Sequence, residues 1–441
     1  MQLELKEQLC IERGGRIYNG TIIGDQSSIR IRSNRAWVLN NIILEGTWVG
    51  MISDKVFKYR AKSKQHWEII SSMFRFDTLS FSKRDYYLER WETIRMKSGD
   101  VLIEGNGVEL ILPSDKGTTI STRWGDRYKK YNLFVSSRED NTTLTVRNLS
   151  ILDNRRITPH WGEDVATETP VLYFYFAPEQ ANILFENVLS DGCGALLHTY
   201  NTDKENGLMV FRNCHIKTSQ FGIELGNRNT SHTNKIVIED CSVRRYKNAT
   251  LVGPVSIVGG NHQVDTVIIR NCEFHEPNVG NIEVSGADYV FFCGNTTTNM
   301  FCYTGSIPPI KYVCSSNIIT MCSGETGRLG VAMNIAGETI EIKGNSFIIT
   351  ETPFPFITVR QPEMTKFMSV ADNTVVYEPL VNNNLRQYLF LFEKVPGAFE
   401  FYGNRLESSY TRPCFSNYLP SKMKRYEGDF DGRVVNYLVS N

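Results

Sequence analysis

The chain has no excess of charge of either sign: 48 Lys and Arg stand against 48 Asp and Glu in 441 residues. It also lacks any long Lys/Arg block. Nucleic acid and anionic membrane are therefore poor candidates for its main partner, and a neutral or weakly charged ligand fits better. No apolar run approaches the length of a membrane span. Met1-Gln-Leu-Glu-Leu-Lys6 lacks the basic start and apolar core of a secretory signal. Two expectations stay open here: a protein made in the cytosol from Met1, or one whose signal has been removed. Ten cysteines occur without a single Cys-x-x-Cys pair, which argues for reduced structural thiols over disulfides or a metal site. Secreted proteins more often oxidise or avoid so many thiols, so folding in a reducing compartment is favoured.

What the chain does contain is a returning phrase: apolar residues at alternate positions, then a polar residue, then Asn or Asp. It appears as Leu144-Thr-Val-Arg-Asn148, Ile183-Leu-Phe-Glu-Asn187, Met209-Val-Phe-Arg-Asn213, Ile236-Val-Ile-Glu-Asp240 and Val267-Ile-Ile-Arg-Asn271. Looser copies end at Asn295, Asn317, Asn345, Asn373 and Asn404. From Asn187 the first steps are 26, 27, 31 and 24 residues, a period that marks a repeat architecture with laps of variable length.

The alternation has the period of a strand. Phe185, Phe211, Ile238 and Ile269 share one face, and Leu184, Val210, Val237 and Ile268 the other. Helical repeats would need apolar residues every three or four positions, and Gly, Asn and Thr are too frequent for that. The pattern resumes after the Asn or Asp with Cys214 and Ile216, Cys241 and Val243, Cys272 and Phe274. The chain is thus expected to turn a corner at the Asn, which tolerates left-handed backbone. Cys214, Cys241 and Cys272 would stack inward as small apolar side chains.

With Gly14-Gly-Arg-Ile-Tyr-Asn-Gly-Thr-Ile-Ile-Gly24 and Trp37-Val-Leu-Asn-Asn-Ile-Ile-Leu-Glu-Gly-Thr-Trp48 as opening rungs, the chain over roughly residues 11 to 410 resembles the right-handed parallel β-helix proteins of the pectate-lyase-like group. That group includes polysaccharide lyases, polygalacturonases and phage tailspikes. The resemblance implies an all-β solenoid and a polysaccharide partner. It also implies either a virion component, as a homotrimer, or an extracellular enzyme. It specifies fold more than chemistry, because one scaffold carries several activities.

The expected organisation is N-terminal rungs over 1–60, a capping helix over 61–76, the main β-helix over 77–378, and a last rung with a C-terminal cap over 379–441. The helix rests on Trp67, Ile70 and Phe74 forming one stripe within Lys62–Phe76. Such a cap hides strand edges. The cap at the other end rests on Tyr410, Phe415, Tyr418 and Tyr426, which would equally suit a partner subunit. Excursions around 113–130 and 155–170 would form groove walls.

Aligning the strands on inward Leu197, Ile223, Val255 and Ile282 turns His198, Glu224, Ser256 and Glu283 outward. Rungs stack about 4.8 Å apart, which puts Glu224 and Glu283 roughly 9 to 10 Å apart. Inverting glycosidases hold their two carboxylates about 6.5 to 9.5 Å apart, one activating water and one protonating the leaving oxygen. His198 would tune Glu224 or act as the base itself. Tyr173, Tyr175, Tyr200, Asp203 and Arg228 are the candidate substrate contacts.

Asn201-Thr-Asp203 matches the start of the first polygalacturonase motif, which would make Asp203 a catalytic acid. The Asp-Asp pair, Gly-His-Gly and Arg-Ile-Lys of that family are absent. A lyase would need a base, His198, and a cation to neutralise the uronate carboxylate, either Arg228 or Ca²⁺. No dense Asp cluster suits Ca²⁺, so no cofactor is expected. Hydrolysis, elimination and binding without catalysis all remain open on these residues.

Overall fold

Strands that are apolar at every second position can bury that face only beside other strands, and each one here pairs in parallel with its equivalent one repeat away. The computed structural model describes residues 2–5, 8–11, 17–31, 39–53, 56–60, 75–76, 78–81, 86–87, 94–96, 100–112, 134–135, 143–153, 172–175, 182–192, 195–200, 206–218, 222–226, 232–245, 255–258, 262–304, 307–322, 333–350, 357–359, 364–378, 390–392, 397–407 and 423–426. No α-helix occurs among them. They fall in two compact units, 1–225 and 226–441.

In the first unit, Thr143–Asp153 is a bent strand whose two arms belong to different sheets. The arm before Asn148 pairs Val146 with Ile103 on one side and with Phe185 on the other. The arm after it pairs Leu149 with Val108 and with Val188. A third sheet follows, where Leu172–Tyr175 pairs with Ala195–Tyr200. Three parallel sheets per lap is the arrangement of a β-solenoid. Phe174, Phe185 and Phe211 are fully buried between the sheets. Phe185 stacks on Phe211 at 5.3 Å and meets Phe174 edge-on at 5.0 Å. The opening rungs also pair in parallel, with Ile22 opposite Leu44.

The corner residues Asn106, Asn148, Asn187 and Asn213 have φ of 55°, 54°, 53° and 50°, as expected from their tolerance of left-handed backbone. Their carboxamides form a ladder outside the bend. Asn213 donates to Asn187 at 2.7 Å, Asn187 to Asn148 at 3.1 Å, and Asn148 to the Glu104 carboxylate at 3.0 Å. Burial pushes the Glu104 carboxyl up, but hydrogen bonds from Asn148, the Asn106 N–H and Arg147 outweigh it and hold the group below the usual carboxylate range. Cys214, one position past the corner, is fully buried.

The second unit repeats this plan. Thr233–Glu239 and Val264–Arg270 open its first sheet, Ser242–Arg245 and the start of Glu273–Ser285 its second, and Val255–Val258 and the end of Glu273–Ser285 its third. Asp240 and Asn271 are left-handed at φ 54°, and Cys241 and Cys272 behind them are buried thiols outside any disulfide. The inward Cys assignment holds in both units.

Beyond Asn271 the expected corner assignment is displaced by one residue. The left-handed positions are Gly294, Ser316, Gly344, Asp372 and Gly403, and the recurring Asn295, Asn317, Asn345, Asn373 and Asn404 follow them, 1–2% exposed. Those asparagines occupy the inward position that Cys241 and Cys272 hold earlier. The cause is hydrogen bonding: each of the first four passes its backbone N–H to the next carboxamide oxygen at 2.8–3.0 Å. Each also donates Nδ2 to a carbonyl of the preceding rung at 2.9 Å. A buried amide persists only when so satisfied.

The expected helix lies outside the described residues except for Arg75–Phe76, which are a strand. At the other end pairing continues past residue 378, with Ile357 opposite Phe390, Met368 opposite Phe399 and Phe401 opposite Tyr426. Tyr426 is thus part of the stack, while Tyr410, Phe415 and Tyr418 lie outside the described residues.

Candidate functional site on the third sheet

The long connections lead into or out of the third sheet in both units, which distinguishes it from the other two. Those at 113–133 and 154–171 lead into it in the first unit, and those at 246–254, 323–332, 351–356 and 379–389 do so in the second. The first and second sheets instead meet at a tight corner. The outward side of the third sheet is therefore where added chain can wall a groove.

In the first unit, Phe174 stands opposite Leu197 and Tyr175 opposite His198. Phe174 and Leu197 are fully buried, and Tyr175 and His198 are the residues that follow them along each strand. Their side chains, with that of Tyr200, are outside the described residues, as are Asp203 and Arg228. Glu224 is half-buried between inward Ile223 and Leu225.

Tyr173 corrects the expected set of substrate contacts. It is fully buried, and its O–H donates to the buried Asp153 carboxylate at 3.0 Å. Gly192 packs against both: a Cβ there would stand 2.3 Å from Asp153 Cβ and 2.9 Å from the Tyr173 oxygen. The hydrogen bond to Asp153 holds the Tyr173 phenol in the core.

In the second unit, Val255 opposite Ile282 and Ser256 opposite Glu283 reproduce the register expected for that step. Ser256 is 5% exposed, so its neighbours cover it, whereas Glu283 is half-buried. The register continues from Glu283 to Tyr303, from Tyr303 to Asn334 and from Asn334 to Thr358. All four side chains are half-buried, and the inward neighbours Ile282, Cys302, Met333 and Ile357 are buried. Parallel strands stand about 4.8 Å apart, so a carboxylate, a phenol, a carboxamide and a hydroxyl follow one another at that spacing. Asn334 and Thr358 escaped sequence reasoning because their strands are three residues long, and Tyr303 because it stands next to the end of a nine-residue strand, Thr296–Thr304, that passes from the second sheet into the third. The in–out alternation around Cys302, Met333 and Ile357 was the signal that would have found them.

Elsewhere among the described residues, charged side chains form ion pairs between neighbouring rungs. Just before the corner, charges alternate from rung to rung on the first sheet: Glu104, Arg147, Glu186 and Arg212 in the first unit, Glu239 and Arg270 in the second. Arg147 pairs with Glu104, Arg212 with Glu186 at 3.4 Å, and Arg270 Nε with Glu239 at 2.9 Å. Among the described residues no group of three or more His, Cys, Asp or Glu is placed to hold a metal ion. No protein-family model matches the chain, and neither does any curated protein or solved structure.

Proposed function

We propose that this chain is a right-handed parallel β-helix of the pectate-lyase-like group that binds a polysaccharide along its third sheet, as phage tailspikes do. One observation carries this reading: the outward column Glu283, Tyr303, Asn334 and Thr358, in register on successive rungs, two of whose strands are entered from the connections 323–332 and 351–356. A linear chain of sugars presents hydroxyls at regular intervals, and a stack of strands presents partners at regular intervals to meet them. The absence of net charge supports a weakly charged ligand.

A hydrolase is the second reading, favoured by half-buried Glu224 and Glu283 on the outward side of their strands. In this reading either carboxylate, one in each unit, acts as a general acid or base in its own right. The tailspike reading further implies a homotrimer in the virion.

The test is incubation with neutral and uronate-containing polysaccharides, following bound polymer, reducing ends and the absorbance of unsaturated products. Reducing ends without absorbance mean hydrolysis, and Glu224→Gln should then cut turnover by about 10² to 10⁴. Absorbance means elimination and favours His198. Binding without either product leaves a receptor-binding solenoid. No binding to any polymer ends the polysaccharide reading.

A further inference from the structure

The outward side of the third sheet in the second unit has an unusual chemical inventory. Its described members are Ser256, Val258, Asn281, Glu283, Tyr303, Asn334 and Thr358. Among these described residues there is one charge, the Glu283 carboxylate, and no Lys, Arg or His. The first sheet of the same unit, by contrast, carries Arg270, Lys311 and Lys343, each paired with a carboxylate.

We infer that this face selects an uncharged polysaccharide lying along the direction of rung stacking, with Tyr303 and Asn334 as its principal contacts. The inference rests on the polysaccharide reading above and names the ligand class that reading leaves open.

Three observations carry it. A uronate polymer would bring a carboxylate to every ring, and a partly buried carboxylate needs a cation or several donors. This column offers neither cation nor fork, and Glu283 would repel the incoming charge. Asn334 supplies the second observation. Its Oδ1 is buried and meets no hydrogen-bond donor among the described residues, a state that buried acceptors seldom keep. No donor among the described residues holds the oxygen inside, so the carboxamide can turn about its last bond to present it to a sugar hydroxyl, which donates to it, whereas a carboxylate only accepts. The third is Tyr303, half-buried between Glu283 and Asn334 in register. A phenol offers an apolar ring for a sugar's C–H face and a polar tip for its hydroxyls.

The experiment compares dextran, galactan and mannan with polygalacturonate and alginate, using the full chain in affinity electrophoresis at two salt concentrations. The expected result is retardation by at least one neutral polymer, insensitive to salt, and none by the uronates. Tyr303→Ala and Asn334→Ala should each weaken it about tenfold or more at an unchanged thermal midpoint. Tyr303→Phe should retain most of it, which separates loss of the ring from loss of the fold. Tighter, salt-labile binding of a uronate polymer overturns the inference while leaving the polysaccharide reading intact. Wild-type affinity in both alanine variants does the same. If no polymer of either class binds, the polysaccharide reading itself falls, and this inference with it.

Discussion

The Asn317 carboxamide oxygen accepts both N–H groups that Asn295 presents to it, the backbone one at 2.8 Å and the side-chain one at 3.1 Å. The Asn345 oxygen does the same for Asn317, at 2.9 Å for each. The pattern repeats through Asn373 to Asn404, so a buried line of amides runs inside the bend between the first and second sheets. Upstream the line ends on Cys272, whose backbone N–H donates to Asn295 at 2.9 Å.

Breaking this line in its middle should cost more than any outward polar substitution. Asn345→Ala removes the acceptor for two N–H groups of Asn317 and the donor to the Cys314 carbonyl at 2.9 Å. Each buried group left unsatisfied costs about 1–3 kcal/mol. Chemical denaturation should show a loss in that range or above. A loss below 0.5 kcal/mol, on the order of a surface substitution, would mean the ladder contributes nothing.

The corners offer a test of backbone chemistry alone. Asn187 sits at φ 53° and is exposed. Asn187→Gly and Asn187→Val both lose the ladder bonds to Asn148 and Asn213, so their difference isolates the backbone: the Val variant should be less stable than the Gly variant by about 1–2 kcal/mol, because a β-branched residue meets its own carbonyl in the left-handed region. Equal thermal midpoints for the two variants would contradict the corner assignment.

Arg245 and Glu276 form an ion pair at 3.1 Å with side chains only 1% and 2% exposed. Burial pulls the Arg245 guanidinium down from its ordinary value, and Glu276 partly restores it. Removing one partner should be far worse than removing both. Glu276→Leu is expected to cost about 3–5 kcal/mol, whereas Arg245→Leu with Glu276→Leu should recover most of it. Additive losses in the double variant would show that the two charges do not depend on each other.

Alkaline pH should weaken the second unit through its buried thiols. Burial pushes the Cys302 thiol up to about 12, only partly opposed by its hydrogen bond with Tyr312. Burial likewise raises Tyr312 and Cys314. An unfolded cysteine ionises near 8.5. The raised folded value therefore contributes stability fully present below about 8.5 and lost as pH rises through about 12. The expected contribution of Cys302 is a fall of up to about 1.4 kcal/mol per pH unit in that window. Cys302→Ala should flatten it in urea melts between pH 8 and 10. An identical slope in the variant would remove Cys302 as its source.

Much of the fold was legible because its causes are local. Alternation through Phe185, Phe211, Ile238 and Ile269 specifies strands, and Asn or Asp after each specifies a left-handed corner. The inward Cys214, Cys241 and Cys272 follow from the same phase. The later corners were misplaced because Asn serves two purposes. At Asn187 it tolerates the bend, and at Asn317 it fills the interior one residue later while Ser316 takes the bend. Only the stacking of neighbouring rungs, which supplies each Asn with partners, tells the two apart.

The candidate site divides along the same line. The sequence by itself determined which face of a strand Glu224, Ser256 and Glu283 occupy, because their apolar neighbours must turn inward. It could not show that Tyr173 is drawn into the core, since that depends on Asp153 twenty residues away on another sheet. Nor could it place Tyr303, Asn334 and Thr358 beside Glu283. Residues that far apart along the chain share a surface only after intervening laps of unequal length close, and closure is decided by the parallel pairing of whole rungs rather than by any one of them.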